Sequence, residues 1–333
     1  MSLAANIKGT LASMAAAAML ALAPATARGQ DQHFSMLDLD PMLFNPAYSG
    51  FFDGKGRYGA VYRNQWASVA APFQTLTVSA EQSLFRSARN RNGMSLGLWV
   101  SADRAGSLSY GTTTANLVVS YYQALGDGDD LVSVAVEGGG GQVGYNPGGI
   151  VVGDPSEPFA TTHALYPTLG AGAAWFREWD TRLYTKLGFS ARNLNQPAIG
   201  LLEGSDERLA RRWNVYARAE WRKWRQLGLL PVVGFQRQGG YSELVYGADV
   251  RWYLDEHPST YLVLSAGVVA RHADAASINL GVLWKRWTFA FSYDANFSRL
   301  SSASHTLGAF ELGVVYLLDR EEKKRRSLPC PII

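Results

Sequence analysis

The residues of this chain best able to do chemistry are five histidines, one cysteine and a run of four glycines. His33, His163, His257, His272 and His305 fall in loops or at the ends of extended segments, and none stands at metal-ligand spacing from another. Ser304-His305 makes no triad, since a nucleophile needs a base that a third group orients. GxSxG and P-loop patterns are absent. Gly138–Gly141 lacks the helix start that would hold a phosphate; such a run suits a bend, or a backbone approached closely from one side. The sole cysteine, Cys330, excludes an internal disulfide and a four-thiolate zinc site. These residues imply no catalysis, no cofactor and no metal.

The elements that would position side chains are extended. Arg211 to Arg222 reads RRWNVYARAEWR. Trp213, Val215, Ala217, Ala219 and Trp221 fall on one side of a strand, and Arg212, Asn214, Tyr216, Arg218, Glu220 and Arg222 on the other. A helix would mix the two sets, so the segment is a strand. Its apolar face is either the core of a soluble sandwich or the lipid face of an outer-membrane barrel. Trp213 and Trp221 are eight residues apart, roughly 26 Å of strand. At about 40° tilt that is roughly 20 Å of height, near the ~25 Å apolar band with an aromatic girdle at each edge.

Similar period-two segments recur at 57–67, 73–85, 94–103, 109–125, 131–145, 165–176, 182–194, 227–238, 241–254, 260–271, 277–285, 287–294 and 306–318. With the segment above they predict about fourteen strands, an even number as bacterial single-chain barrels require. If both termini lie in the periplasm, the two longest connections, Asn146–His163 and Asn195–Ala210, fall on the outer side. Gly126–Asp130, Arg177–Thr181 and Lys223–Gln226 fall on the inner side and are short, which is the barrel asymmetry. The expected fold is all-β: a single antiparallel transmembrane β-barrel of the outer membrane.

Composition agrees. The 333 residues include 34 Gly, 16 Tyr and 10 Trp, and only 18% are charged, below the ~25% of soluble domains. A net charge of +3 is too small to argue for nucleic acid. Residues 1–27 read as a signal peptide, with Lys8, an apolar stretch from Leu11 to Ala23, and Ala25-Thr26-Ala27 as cleavage site. The apolar run is shorter than the ~20 residues of a spanning helix. Residues 28–56 form an expected periplasmic N-terminal segment containing FNPAYSG (44–50), whose Asn-Pro and Ser-Gly pairs signal ordered loop. Residues 57–318 form the barrel, and 319–333 a charged periplasmic tail.

DQHFSMLDLDPMLFNPAYSG (31–50) followed by YRNQW (62–66) resembles the amino-terminal signature of the PorP/SprF proteins of the type IX secretion system. SADRAG (101–106), GFSARNLNQP (188–197), SYDANFSRL (292–300), AFELGVVY (309–316) and the Cys330-Pro331 ending are also similar to that family. The pieces run the whole mature length in the expected order. Asp31-Gln32-His33 departs from the family's usual proline after the aspartate, and the ending lacks the usual aromatic. The resemblance implies an accessory outer-membrane barrel that supports export or surface retention of particular cargo, such as gliding adhesins with a carboxy-terminal sorting domain. It also implies secretion partners on the periplasmic side. Composition alone equally allows a general diffusion porin, since fourteen strands give a backbone diameter of roughly 28 Å.

Two groups are candidate interaction residues. Arg63 and Gln65 point into the lumen near the outer rim, with Asn64 between them and Tyr62 and Trp66 toward lipid; ordinary lining competes with a docking role. Asn195 and Gln196 open the second long loop, where a structural cap is the plainer reading. Leu201 and Leu202 follow Ile199 as an apolar run beside Glu203, Asp206, Glu207 and Arg208, a mixture suited to an apolar anchor with a charged rim. Glu137, Arg218 and Glu220 are expected to pair across strands as solvated lumen lining. The tail and Asp31–Asp53 are expected to contribute to periplasmic docking.

Overall fold

Antiparallel strands with one apolar face can bury that face in lipid once every backbone group is paired, which closure of the sheet achieves. The computed structural model describes residues 34–36, 38–65, 72–87, 92–106, 110–126, 129–145, 162–202, 204–257, 259–297 and 307–318. The strands are β1 (Gly56–Gln65), β2 (Phe73–Ser87), β3 (Asn92–Ala105), β4 (Tyr110–Leu125), β5 (Asp130–Gly144), β6 (His163–Glu178) and β7 (Leu183–Arg192). They continue with β8 (Arg212–Trp224), β9 (Leu227–Gln238), β10 (Tyr241–Asp255), β11 (Leu262–Arg271), β12 (Ala275–Trp284), β13 (Trp287–Asn296) and β14 (Leu307–Leu318). Each pairs with its neighbours in sequence, and β1 pairs with β14 from Gly56↔Leu318 to Gln65↔Ala309, closing a meander of fourteen strands. Every segment expected from period two is a strand.

The faces are as expected. On β8, Trp213 (40% exposed) and Val215 point outward, while Arg212, Asn214, Tyr216 and Arg218 are buried inside. On β13, Trp287, Phe289, Phe291 and Tyr293 point out, and Ser292 and Asp294 in. Connections at the end holding Gly56 and Leu318 run from two residues (225–226) to six (256–261). At the other end they reach eighteen (145–162) and nineteen (193–211). We refer to these as the periplasmic and outer ends.

The N-terminal segment departs from expectation. Residues 34–36 and 38–55, expected in the periplasm, run as a strap inside the barrel. The strap carries a one-turn helix α1 (Pro41–Phe44) and a 3-10 turn (Pro46–Tyr48). Met42, Ala47 and Ser49 are fully buried. Ser35 lies beside Arg63 and Asp294, each two residues from the outer end of its strand. Lys55 bonds Leu318 and Ser83 at the periplasmic end. The chain thus descends through the lumen before it begins β1. The physical reason is the wall: inward-facing Arg, Asp and Glu need partners, and the strap supplies both carboxylates and backbone groups.

Candidate functional site

The strap is seated at several points, each built from a segment that sequence reading treated separately. At the outer end, Glu311 on β14 accepts from the backbone N–H groups of Ser35 (2.7 Å) and Met36 (3.0 Å) and pairs with Arg63 of β1. Asp294 on β13 accepts from the Ser35 hydroxyl (2.8 Å) and pairs with Arg63 and Arg271, both at 2.9 Å. YRNQW, SYDANFSRL and AFELGVVY therefore meet at the start of the strap. Arg63 is committed to this node and is not free for an external partner.

Lower down, Asp38 pairs with Lys186 (2.8 Å) and Arg218 and accepts from the Tyr216 hydroxyl (3.0 Å); Arg218 also pairs with Asp249 (2.8 Å). Burial pushes the Asp38 carboxyl up, but Arg218 and Lys186 outweigh it and hold the group well below its ordinary range. Asp40 shows the opposite balance. Burial raises its carboxyl, Arg57 pulls it back and Glu81 adds to the rise, leaving it at about 6. The contacts explain why: Arg57 gives Nη1 to Glu81 (2.8 Å) and Nη2 to the Asp38 and Leu39 carbonyls, and Asp40 Oδ1 is left without a partner.

The FNPAYSG turn seats against β6 to β8. Asn45 accepts from the Ala47 N–H (2.9 Å), the side-chain turn its type favours, and donates to the Ala173 and Phe189 carbonyls. Ser190 donates to the Phe44 carbonyl (2.7 Å), and Arg192 donates to Met42 O (2.7 Å) and to Glu137 (3.0 Å). Side chains on Gly172 or Gly188 would overlap Asn45 and the Tyr48 hydroxyl, so GFSARN provides the gap into which NPAY fits. Phe51 stacks on Phe176 with ring centroids 3.7 Å apart and also meets Tyr122. Between these polar fixings Met42, Phe44, Tyr48 and Phe51 form an apolar core with Trp99, Val118, Leu131 and Tyr216.

Glu137, Arg218 and Glu220 do pair, but they are buried rather than solvated, because the strap and neighbouring side chains cover them. In the four-glycine run, Gly141 lies under the Tyr166 ring, so the backbone is approached closely from within. Among the described residues, no three His, Cys, Asp or Glu side chains gather as metal ligands.

The outer candidates lie elsewhere. Asn64 faces away from the lumen and bonds the Tyr62 hydroxyl (3.2 Å), and Gln65 ends β1 half-buried. Asn195 donates to the Pro167 carbonyl (2.8 Å), and Gln196 accepts from Arg208 (3.2 Å). The loop 193–211 is an ordered hairpin: Ile199 N–H bonds Glu207 O, Leu209 N–H bonds Pro197 O, and Ala198 bridges Arg208. Ile199 and Leu201 are spent in a small core with Val143, Tyr166 and Leu209, so of that apolar run Leu202 is the exposed member, at 63%. Glu203, Trp66, residues 146–161, His33, Ser304, His305, the expected signal peptide and the tail lie outside the described residues.

What sequence reading missed was the strap itself. Its signal was present: two prolines, Pro41 beside Asp40 and Pro46 beside Asn45, and five aromatics within 34–55 make a segment too apolar for a solvated periplasmic one.

Residues 26–316 match the family of type IX secretion system membrane proteins PorP/SprF. The chain belongs to the PorP/SprF family. No curated protein matches it. Among solved structures, a deltaS2 mutant of the TodX monoaromatic hydrocarbon channel is similar in fold: TM-score 0.51, 10% identity, 85% of this chain and 94% of that one. A Pseudomonas aeruginosa FadL homologue gives a TM-score of 0.44 at 10% identity over 84% and 94%. At 10% identity the likeness to the TodX mutant is one of fold alone: an outer-membrane β-barrel. This PorP/SprF protein is therefore a secretion-related barrel of the outer membrane, and the motifs of the family resemblance are largely those that seat the strap.

Proposed function

We propose that this PorP/SprF protein is a self-plugged accessory barrel of the type IX secretion machine, supporting export or surface retention of particular cargo with a carboxy-terminal sorting domain, gliding adhesins among them. The observation that carries the reading is the strap. A diffusion porin needs a continuous aqueous path, whereas here Met42, Ala47 and Ser49 are buried at the barrel's centre and inward charges pair with the strap. Liposomes containing the purified barrel should accordingly show no swelling in sugars. Robust permeation would favour the porin instead.

The barrel's surroundings then divide by end. The bilayer meets the outward apolar face, and secretion components meet the periplasmic end. There the tail, 319–333, is the docking candidate, since the strap residues once expected to share that role are enclosed. Cargo is held at the outer end, chiefly by the loops 146–163 and 195–210; the internal core of the second leaves Leu202, Asp206 and Glu207 exposed at its tip. Strand pairing closes the barrel without this second loop, so replacing Asn195–Ala210 with a Gly-Ser turn should leave membrane insertion intact. Surface display of the cognate cargo should fall severalfold or more while other type IX cargo is exported normally. Full display from a shortened barrel at normal abundance would remove the loop from the reading.

A further inference from the structure

The strap leans on one arc of the wall and leaves another hollow. Between its first residues and the inner face of β9 to β13 lies a cavity of about 100 Å³. The wall is cut back there by small inward residues, Ser265 on β11, Gly281 on β12 and Ala290 on β13. A side chain on Gly281 would overlap the Ser265 hydroxyl, so the hollow is set by residue size at these positions. Met36 and Leu39 of the strap and Val232, Val263 and Leu283 of the wall give it an apolar lining.

The charges that reach it are already matched. Arg218 is shared by Asp38 and Asp249, and Arg251 pairs with Glu220 (3.3 Å). An ionic ligand would have to break a buried pair, which is costly. One polar atom on the lining is left over: Asn279 Oδ1 is buried without a hydrogen-bond partner. A buried acceptor with no donor calls for one.

We propose that this cavity binds a small uncharged molecule with an apolar body and one hydrogen-bond donor, of the class of phenols, the donor meeting Asn279 Oδ1. Its volume is of the order of the roughly 150 Å³ apolar cavity that admits one benzene. Because the lining is shared between strap and wall, the guest touches both. Occupancy therefore tightens the strap in its seat, and a seated strap completes the site.

The test uses the full-length barrel in phospholipid nanodiscs, with phenol and benzene as probes followed by ligand-observed NMR. Saturable one-to-one binding is expected, with phenol favoured over benzene about fivefold, the worth of one neutral hydrogen bond. Asn279→Leu should erase that preference while still binding both probes, and Ala290→Leu should abolish saturable binding by filling the hollow. Both variants are read only where the barrel keeps its heat-modifiable migration on gels. As a second measurement, phenol should slow maleimide labelling of Met36→Cys in a Cys330→Ser chain. Equal, non-saturating uptake by wild type and Ala290→Leu would mean bilayer partition around a merely hydrated cavity, and would overturn the proposal. Equal affinity of wild type for the two probes would overturn the role of Asn279.

Discussion

The two faces of this barrel wall are ordered in opposite ways. Outward, Val134, Leu169, Phe289 and their neighbours meet lipid, where any residue of sufficient apolar area serves. Inward, Glu311, Asp294, Arg63 and Gly188 each meet particular atoms of the strap or of one another. The difference teaches that closure of the barrel depends on a repeating pattern, while closure of the lumen depends on individual residues. Substitutions should therefore be tolerated on one face and felt on the other.

The largest effect is expected where one carboxylate holds both the strap's backbone and a wall arginine. Glu311→Ala removes the acceptor for two strap N–H groups and for Arg63, all buried. Breaking a buried pair by deleting one partner costs about 3–5 kcal/mol. The urea midpoint of the refolded barrel should drop accordingly, with Glu311→Gln intermediate because it keeps one acceptor. A midpoint unchanged in Glu311→Ala would mean that the strap is not seated at this node.

That contrast also explains how much was legible in the sequence. A repeating face announces itself: the alternation of Trp287, Phe289, Phe291 and Tyr293 with Thr288, Ala290, Ser292 and Asp294 gave both the strand and its orientation. All fourteen strands followed from such patterns, with ends off by a few residues at most. The strap has no period. Its fixings are single long-range contacts, such as Ser35 to Glu311, 276 residues apart, and a single sequence does not reveal which distant residues meet. The resemblance marked the right motifs, yet read singly Arg63 was lumen lining and FNPAYSG a loop. The outer loop hides two of its apolar residues for a similar reason: the sequence does not show that Ile199 and Leu201 are covered, because Val143 and Tyr166, which cover them, lie on other strands.

A smaller effect should distinguish two carboxylates on the strap. Asp38 is held by two cations and Asp40 lacks a full set of partners, so they respond to pH in opposite senses. With its folded value raised to about 6 from 3.8, Asp40 binds its proton more tightly in the folded barrel. Its contribution is fully favourable below about pH 4 and is lost as pH rises through 6. Asp40→Asn carries no such charge. The variant should match the parent below pH 4 and exceed it above pH 6 by up to ~3 kcal/mol, at 1.36 kcal/mol per unit. Parallel stability curves from pH 4 to 8 would mean that Asp40 does not titrate in its buried seat.

The smallest effect, and the most direct comparison of the two faces, comes from one substitution made on each. Gly138 and Gly140 of β5 face outward; a methyl group on either meets its nearest atom at 3.5 Å and 3.4 Å, ordinary contact distances. Gly172 and Gly188 face inward, where the same methyl overlaps Asn45 or Tyr48. Glycine in a strand is less favourable than alanine through the freedom it has when unfolded. Gly138→Ala and Gly140→Ala should thus be neutral or stabilising by about 0.4–1 kcal/mol, whereas Gly188→Ala should destabilise by roughly 1–3 kcal/mol as overpacking. The sign, not the size, is decisive. If all of these alanines shifted the urea midpoint the same way, the lumen face would be as permissive as the lipid face, and the strap would be a passenger rather than a fitted part of the barrel.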